Sequence, residues 1–187
     1  MFLYPPFYRK LKRGPQVILP KDIALIIEFS SIDKNSICVD AGTGSGWLAL
    51  SLARICKFVY SYDKRPDFIN IAMKNKEILN IDNIEFKNKD ITKGIDERNV
   101  DLVALDMPNP ELVIKHAKRA LRDNGCLVAY LPNIEQVKKF VLKLEKSKFK
   151  EIYTVENIVR DLLIRKEGSR PTNKGLWHTG YLTFAYK

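Results

Sequence analysis

The sequence predicts an α/β domain built on one seven-stranded sheet, parallel except for its last strand, and three observations predict it. First, a β-prone run, Ile37-Cys38-Val39, passes through Asp40 and Ala41 into Gly42-Thr43-Gly44-Ser45-Gly46, and a helical pattern over 47–55 leads out. Strand, glycine-rich turn and helix bring backbone close to a ligand and present free N–H groups to it. Second, acids close three successive strand-like runs: Asp40 after the first, Asp63 after Phe58-Val59-Tyr60-Ser61-Tyr62, and Asp90 after Ile84-Glu85-Phe86. In a parallel sheet these positions share the edge where ligands bind. Third, after five strand–helix units the chain ends on two more strand-like runs, 152–159 and 181–186, separated by a polar, basic segment containing Ser169-Arg170-Pro171.

Each element has its own signal. Residues 1–19 read as an arm that orders on contact, ahead of a single domain over 20–187. In the arm, Arg9, Lys10, Lys12 and Arg13 accompany Phe2, Tyr4, Phe7 and Tyr8, and no acid occurs before Asp22. This suits either a nucleic-acid surface or a tail packing its aromatics on the domain. Pro20 fits a first helical turn, and Ile23, Ile26 and Ile27 give 20–30 an apolar face. Pro66 opens another helix, with Phe68, Ile71, Ala72 and Leu79 on its buried side. Residues 100–105 are apolar but for Asp101, as a central parallel strand should be. The next helix carries Val113, Ala117, Ala120 and Leu121 and is stopped by Asn124-Gly125, and 126–131 is the fifth strand. Over 133–147, Asn133 caps a helix, Gln136 stands where a capping box needs it, and Val137, Phe140, Val141 and Leu144 share a face. Six lysines against one acid over 138–150 give that helix a solvated face or an RNA-facing flank.

Composition bounds the function. A 187-residue chain with 45% hydrophobic residues is long enough for one cored domain. The net charge of +10 biases it toward a polyanionic partner. Cys38, Cys56 and Cys126 form no CxxC pair, so no metal site is expected, and they read as small buried residues in a reducing cytoplasm. No apolar run approaches the ~20 residues of a membrane span. The N-terminus puts aromatics before basic residues, the wrong order for a signal peptide.

The glycine turn lacks the lysine of a phosphate-binding loop. An acid after the second strand accepts hydrogen bonds from ribose hydroxyls. The ligand expected is one with ribose and adenine but no phosphates, and S-adenosylmethionine fits. Asp40 would hold the turn and the methionine amino end, Asp63 the ribose and Asp90 the adenine amino group. A dinucleotide site, or acids that only cap helices, is the alternative.

Asp106-Met107-Pro108-Asn109-Pro110 follows the fourth strand, so Asp106 falls at the same edge, beside the expected place of a methyl donor's sulfonium. The two prolines keep the chain from entering a helix at once. A carboxylate there can accept from the exocyclic amine of a base and offset positive charge growing on the ring during attack. Capping the next helix is its plainer role.

With that motif the chain resembles the tRNA (adenine-N1)-methyltransferase family, bacterial and archaeal type, that modifies adenosine 58 of the T-loop. The matching blocks are Gly14-Pro15-Gln16-Val17-Ile18-Leu19-Pro20-Lys21-Asp22, the turn over 40–46, and Ala104-Leu105 with the motif after them. Val128-Ala129-Tyr130-Leu131-Pro132-Asn133-Ile134-Glu135-Gln136 and Trp177-His178-Thr179-Gly180-Tyr181-Leu182-Thr183-Phe184-Ala185 complete the set. The resemblance implies a class I S-adenosylmethionine-dependent methyltransferase with a Rossmann-like sheet, S-adenosylhomocysteine as product and tRNA as acceptor. Asp106 would engage the adenine amino group and also border the donor. Gln16, Asp40, Gly42, Thr43, Gly44, Ser45, Gly46, Asp63 and Asp90 would hold the donor. Pro108, Tyr130, Pro132, Asn133, Arg170, His178 and Thr179 would surround the acceptor. Tyr130 could equally be core, Asn133 a cap, Arg170 a partner of a surface acid, and His178 a loop-orienting residue. His116 is expected to have no function.

The family commonly forms tetramers, so a homo-oligomer, tetramer or dimer, is implied, and neither membrane nor metal. Family members usually carry a small β domain ahead of the catalytic one, where only a short arm precedes Gln16 here. The adjacent adenosine 57 is a second expected target. Two rivals remain: a small-molecule methyltransferase of the corrin-biosynthesis type, and a non-catalytic tRNA-binding subunit.

Overall fold

In the computed structural model, residues 4–14 and 16–187 are described; Phe2 of the arm and Pro15 of the first family block lie outside them. The strands β1 (Ile37–Ala41), β2 (Phe58–Tyr62), β3 (Ile84–Lys87), β4 (Val100–Leu105), β5 (Leu121–Leu131), β6 (Lys150–Glu156) and β7 (Tyr181–Tyr186) form one sheet. Its order is β3-β2-β1-β4-β5-β7-β6. Strands β1 to β5 pair in parallel, and β7 runs antiparallel to both neighbours. The expected seven-stranded sheet with an antiparallel last strand is therefore present.

Alternation along the strands divides the core in two. Cys38, Leu102, Ala104 and Phe184 face one layer with α2 (Pro20–Phe29) and α3 (Trp47–Ala53). Val39, Ala41, Val103, Leu105 and Ala185 face the other, with α5 (Ile114–Ala120) and α6 (Ile134–Lys146). The α4 helix (Pro66–Leu79) follows β2, buries Ile69 and Ala72, and ends on Asn80 in the left-handed region. Among the described residues, no helix is long and apolar enough to cross a membrane.

The arm is tied to the domain. It holds α1 (Pro6–Arg9), and Tyr8 and Leu11 are buried. The Tyr8 ring lies 4.9 Å from that of Trp47, and its hydroxyl is 2.8 Å from Ser51 Oγ. The Lys12 N–H donates to Asn75 Oδ1 at 2.8 Å. Of the two readings of the arm, the aromatics Tyr4, Phe7 and Tyr8 follow inward packing. Its exposed cations Arg9, Lys10, Lys12 and Arg13 remain at the surface.

Two boundaries differ from expectation. The fifth helix ends at Ala120, and Leu121 is already extended and paired with Val100. Asn124-Gly125 does not stop the helix; it makes a kink inside β5, with Asn124 at φ 59° and the register shifting between Val100 and Leu102. The sixth strand ends at Glu156 rather than 159, where Asn157 turns to bond α2. An excursion then leads to β7 and contains a two-residue antiparallel ladder, Leu162–Leu163 with Arg170–Pro171.

Candidate active site

The glycine turn is shaped by what crosses it. Gly42 sits at φ 90°, and its N–H donates to the Tyr62 carbonyl at 2.9 Å. The chain leaving β4 passes directly over it, and the Asp106 N–H donates to the Ala41 carbonyl at 2.8 Å. Turn and Asp106 are thus joined through backbone. Gly46, at φ 82°, caps α3 against Ala72 of α4.

Two cavities open at this edge. One, of about 360 Å³, is lined by Gln16, Thr43, Gly44, Ser45, Tyr130 and Pro132, among others. The other, of about 370 Å³, is lined by Asp63 and Asp90, among others. Gly42, Arg65, Asp106, Met107 and Pro108 border both. Among the described residues, no side-chain hydrogen bond engages the Asp106 carboxylate. Burial pushes its pKa up to about 6, against the pull of Arg65 and with a push from Asp63.

Asp63 is buried and already committed in part, accepting from Gly44 N–H at 3.1 Å and Arg65 N–H at 3.0 Å. The Arg65 side chain lies 3.3 Å from it and stacks over the Phe68 ring at 3.8 Å. Asp90 accepts from the Thr92 N–H and hydroxyl, at 3.0 and 2.7 Å, which holds its carboxyl below the usual range. Asp90 therefore caps a 3-10 turn (Ile91–Lys93) while also lining the second cavity.

Several expected site residues lie off the cavities. Asp40 is buried beneath the turn, where Ser61 Oγ donates to it at 2.5 Å and contacts Thr43 Oγ1 at 2.6 Å. It supports the turn from below through Ser61 and lines neither cavity. Burial raises its pKa to about 7. Gly46 serves helix packing. Asn133 spends its carboxamide oxygen on the Gln136 N–H at 3.0 Å, so it caps α6. Arg170 is exposed in the ladder, donates to Asn173 Oδ1 at 2.6 Å and lines neither cavity. His178 bridges the Pro132 carbonyl (2.9 Å) and Glu156 Oε1 (2.6 Å), a supporting position. Glu156 accordingly raises its pKa.

Thr179, expected at the acceptor, belongs to a partly buried network. Lys21 Nζ donates to Asp22 Oδ1 (2.7 Å), the Asn157 carbonyl (2.5 Å) and Thr179 Oγ1 (2.8 Å). Thr179 Oγ1 donates to Asp22 Oδ2 at 3.0 Å, and its carbonyl accepts from the Tyr130 hydroxyl. Gly180 packs on the Tyr130 ring where a Cβ would not fit. The network thereby fixes one wall of the cavity.

Sequence reasoning missed Arg65, Trp47 and the cavity-facing role of Gln136. The capping box is half made: the Gln136 backbone uses Asn133, while its side chain turns to the cavity. Among the described residues, Ser45 Oγ, Trp47 Nε1 and Gln136 Oε1 of this lining are buried polar atoms without a hydrogen-bond partner. Such atoms are costly unless a ligand satisfies them. The only signals were position: Trp47 opens the helix after the turn, and Arg65 follows Asp63 by two residues.

A family model for the tRNA methyltransferase complex GCD14 subunit matches residues 7–169. The chain belongs to the GCD14 family. Within it, the chain is similar to the tRNA (adenine(57)-N(1)/adenine(58)-N(1))-methyltransferase of Methanocaldococcus jannaschii, at 37% identity over 95% of this chain and 73% of that one. It is 32% identical to the tRNA (adenine(58)-N(1))-methyltransferase of Thermus thermophilus, over 92% of this chain and 69% of that one. The tRNA (m1A58) methyltransferase structure from Aquifex aeolicus superposes with a TM-score of 0.91 at 25% identity, covering 97% and 76% of the two chains. An S-adenosylmethionine-dependent O-methyltransferase of Thermotoga maritima gives 0.89 at 31% identity, over 92% and 66%. The GCD14 assignment and these neighbours establish the Rossmann-like, S-adenosylmethionine-dependent methyltransferase fold.

The GCD14 cavity residues fit that donor class. The turn permits close backbone approach, Asp63 stands after the second strand where ribose is held, and orphaned polar atoms await partners at the glycine end. Among the described residues, no three His, Cys, Asp or Glu side chains are grouped to hold a metal.

Proposed function

We infer that this GCD14-family chain is an S-adenosylmethionine-dependent tRNA methyltransferase that forms N1-methyladenosine in the T-loop, at adenosine 58 and, as in the M. jannaschii relative, at the adjacent adenosine 57. One observation carries the reading. Asp106 stands in the wall shared by two cavities, one lined by the acids Asp63 and Asp90 and one by Tyr130 and Pro132, and among the described residues no side chain bonds its carboxylate.

Bound at the turn, S-adenosylmethionine supplies a methyl group that its sulfonium makes electrophilic. Asp63 and Asp90 accept from the donor's ribose and adenine, while Gln16, Ser45 and Trp47 border its amino-acid end. Tyr130 and Pro132 flank the acceptor base. Asp106 accepts a hydrogen bond from the adenine amino group, which orients N1 and offsets the positive charge that the ring gains. This role requires the carboxylate ionised. The net charge of +10 supports a polyanionic acceptor.

The test is methyl transfer from labelled S-adenosylmethionine to unmodified tRNA, with the modified nucleotide mapped. Label in N1-methyladenosine of the T-loop is expected. Donor binding without transfer to tRNA would overturn the assignment.

A further inference from the structure

A separate concavity, of about 420 Å³, lies where the arm meets the excursion between β6 and β7. Its lining includes the rings of Tyr4 and Trp177 and the cations Arg13, Arg160 and Lys174, against one acid, Asp161. Trp177 is 43% exposed, and the Arg160 guanidinium lies 5.2 Å from its ring centroid. A partly exposed indole thus shares one lining with three cations, one of them held over its ring.

The place of this pocket is fixed relative to the cleft. Tyr4 meets Trp47 edge to face at 5.3 Å, and Trp47 lines the main cavity. Lys21 bonds both Asn157 and Thr179, the two ends of the excursion, to the first turn of α2. Pocket and cleft are therefore linked through the Tyr4–Trp47 contact, and both ends of the excursion are tied to α2.

Aromatic faces among cations are the chemistry of single-stranded nucleic acid: bases stack, and phosphates meet lysine and arginine. The volume suits one nucleotide. Turning a target base out of its loop leaves its neighbours unstacked, at a cost of a few kcal/mol. A stacking platform beside the cleft offsets that cost.

We propose that this pocket holds one unpaired nucleotide of the RNA next to the adenosine being methylated, its base on Trp177 and its phosphates on Arg13, Arg160 and Lys174. The proposal rests on the tRNA reading above and names a further contact for the same substrate.

The test uses the full chain with Trp177→Ala, Trp177→Phe and Arg160→Gln. A T-loop oligoribonucleotide is titrated by tryptophan fluorescence, and KM for unmodified tRNA is measured separately. RNA should quench the wild-type emission, and the quench should vanish in Trp177→Phe, where only buried Trp47 emits. Trp177→Ala should raise KM about tenfold, the worth of one stacked base, with S-adenosylhomocysteine affinity unchanged. Trp177→Phe should keep most of the affinity. Arg160→Gln should lower the salt slope by about one.

An unchanged KM in Trp177→Ala overturns the proposal. So does quenching that follows protein concentration without RNA, which would mark a contact between copies, or equal quenching by an acidic peptide. Oligonucleotide quenching without tRNA methylation would sink the functional reading and leave the pocket standing. Methylation without quenching would do the reverse.

Discussion

A Cβ built on Gly42 would lie 1.8 Å from the backbone carbonyl oxygen of Asp106. The first and fourth strands end in contact, and that contact sets the distance between the donor turn and the group that faces the acceptor. Gly42→Ala must displace the chain at Asp106, and its φ of 90° is also strained for any L side chain. The expected result is lower thermal stability together with loss of S-adenosylhomocysteine binding by calorimetry. Unchanged binding would show that the two ends are not coupled.

Asp106 gives turnover a pH dependence. Its pKa is raised to about 6 by burial, and the proposed role, accepting from the adenine amine, needs the ionised form. Turnover should therefore rise as pH passes through about 6 and then level off. Asp106→Asn should lower kcat by about 10²–10³ and remove this limb, while donor affinity changes little. A normal rate in the variant would remove Asp106 from the chemistry.

Asp40 affects stability in the same pH region. Its folded pKa of about 7 lies above its ordinary 3.8, so the folded protein holds the proton more tightly. Stability from this group is thus present at low pH and lost as pH rises from about 4 to about 7. Asp40→Asn keeps an acceptor for Ser61 and avoids the buried charge. Thermal melts should show its advantage over wild type growing from about pH 4 to about pH 7 and then levelling off, and a constant difference would refute the linkage.

Gln136 places an unpartnered carboxamide oxygen in the cavity that holds Tyr130 and Pro132. A glutamine amide matches the N6 and N7 edge of adenine and leaves N1 free. Gln136→Ala should raise KM for tRNA roughly tenfold or more, on a scale of about 1–3 kcal/mol, with donor affinity intact. Loss of donor affinity instead would move Gln136 to the other half of the cleft.

Lys21 and Asp22 are a buried pair, with side chains 5% and 1% exposed. Lys21→Met leaves Asp22 charged and unpaired, which costs about 3–5 kcal/mol. The double variant Lys21→Met with Asp22→Leu should recover part of that in urea denaturation. It should still raise KM, because Thr179 and Tyr130 lose their anchor. Equal stability of the single and double variants would show that the pair is not coupled.

The sheet was legible because its central strands, β4 above all, are buried on both faces and read as apolar runs, and because turn chemistry such as that of Gly42 and Asn80 marks the ends of elements. The β4 strand matches its expected bounds, and β2 does as well. Asn124-Gly125 misled because a left-handed residue kinks a strand as readily as it ends a helix. The resemblance named Asn133, Arg170 and Thr179 as acceptor residues. Hydrogen bonds engage all three: Asn133 caps α6, as its spacing to Gln136 announced, Arg170 bonds Asn173, and Thr179 bonds Lys21 and Asp22 far away in the chain, which no local spacing announces.

What the sequence alone determined is the order of elements and the set of acids that close the strands, since both follow from local pattern: periodicity, turn residues and the family blocks. The tertiary structure decided which of those acids face a cavity. Asp40 and Asp63 both close parallel strands, yet one points beneath the turn to Ser61 and the other into the cleft. It also brought Gln136, Arg65 and Trp47 to one lining from three separate elements. Such meetings depend on side-chain direction and on contacts far apart in the chain, which no local signal encodes.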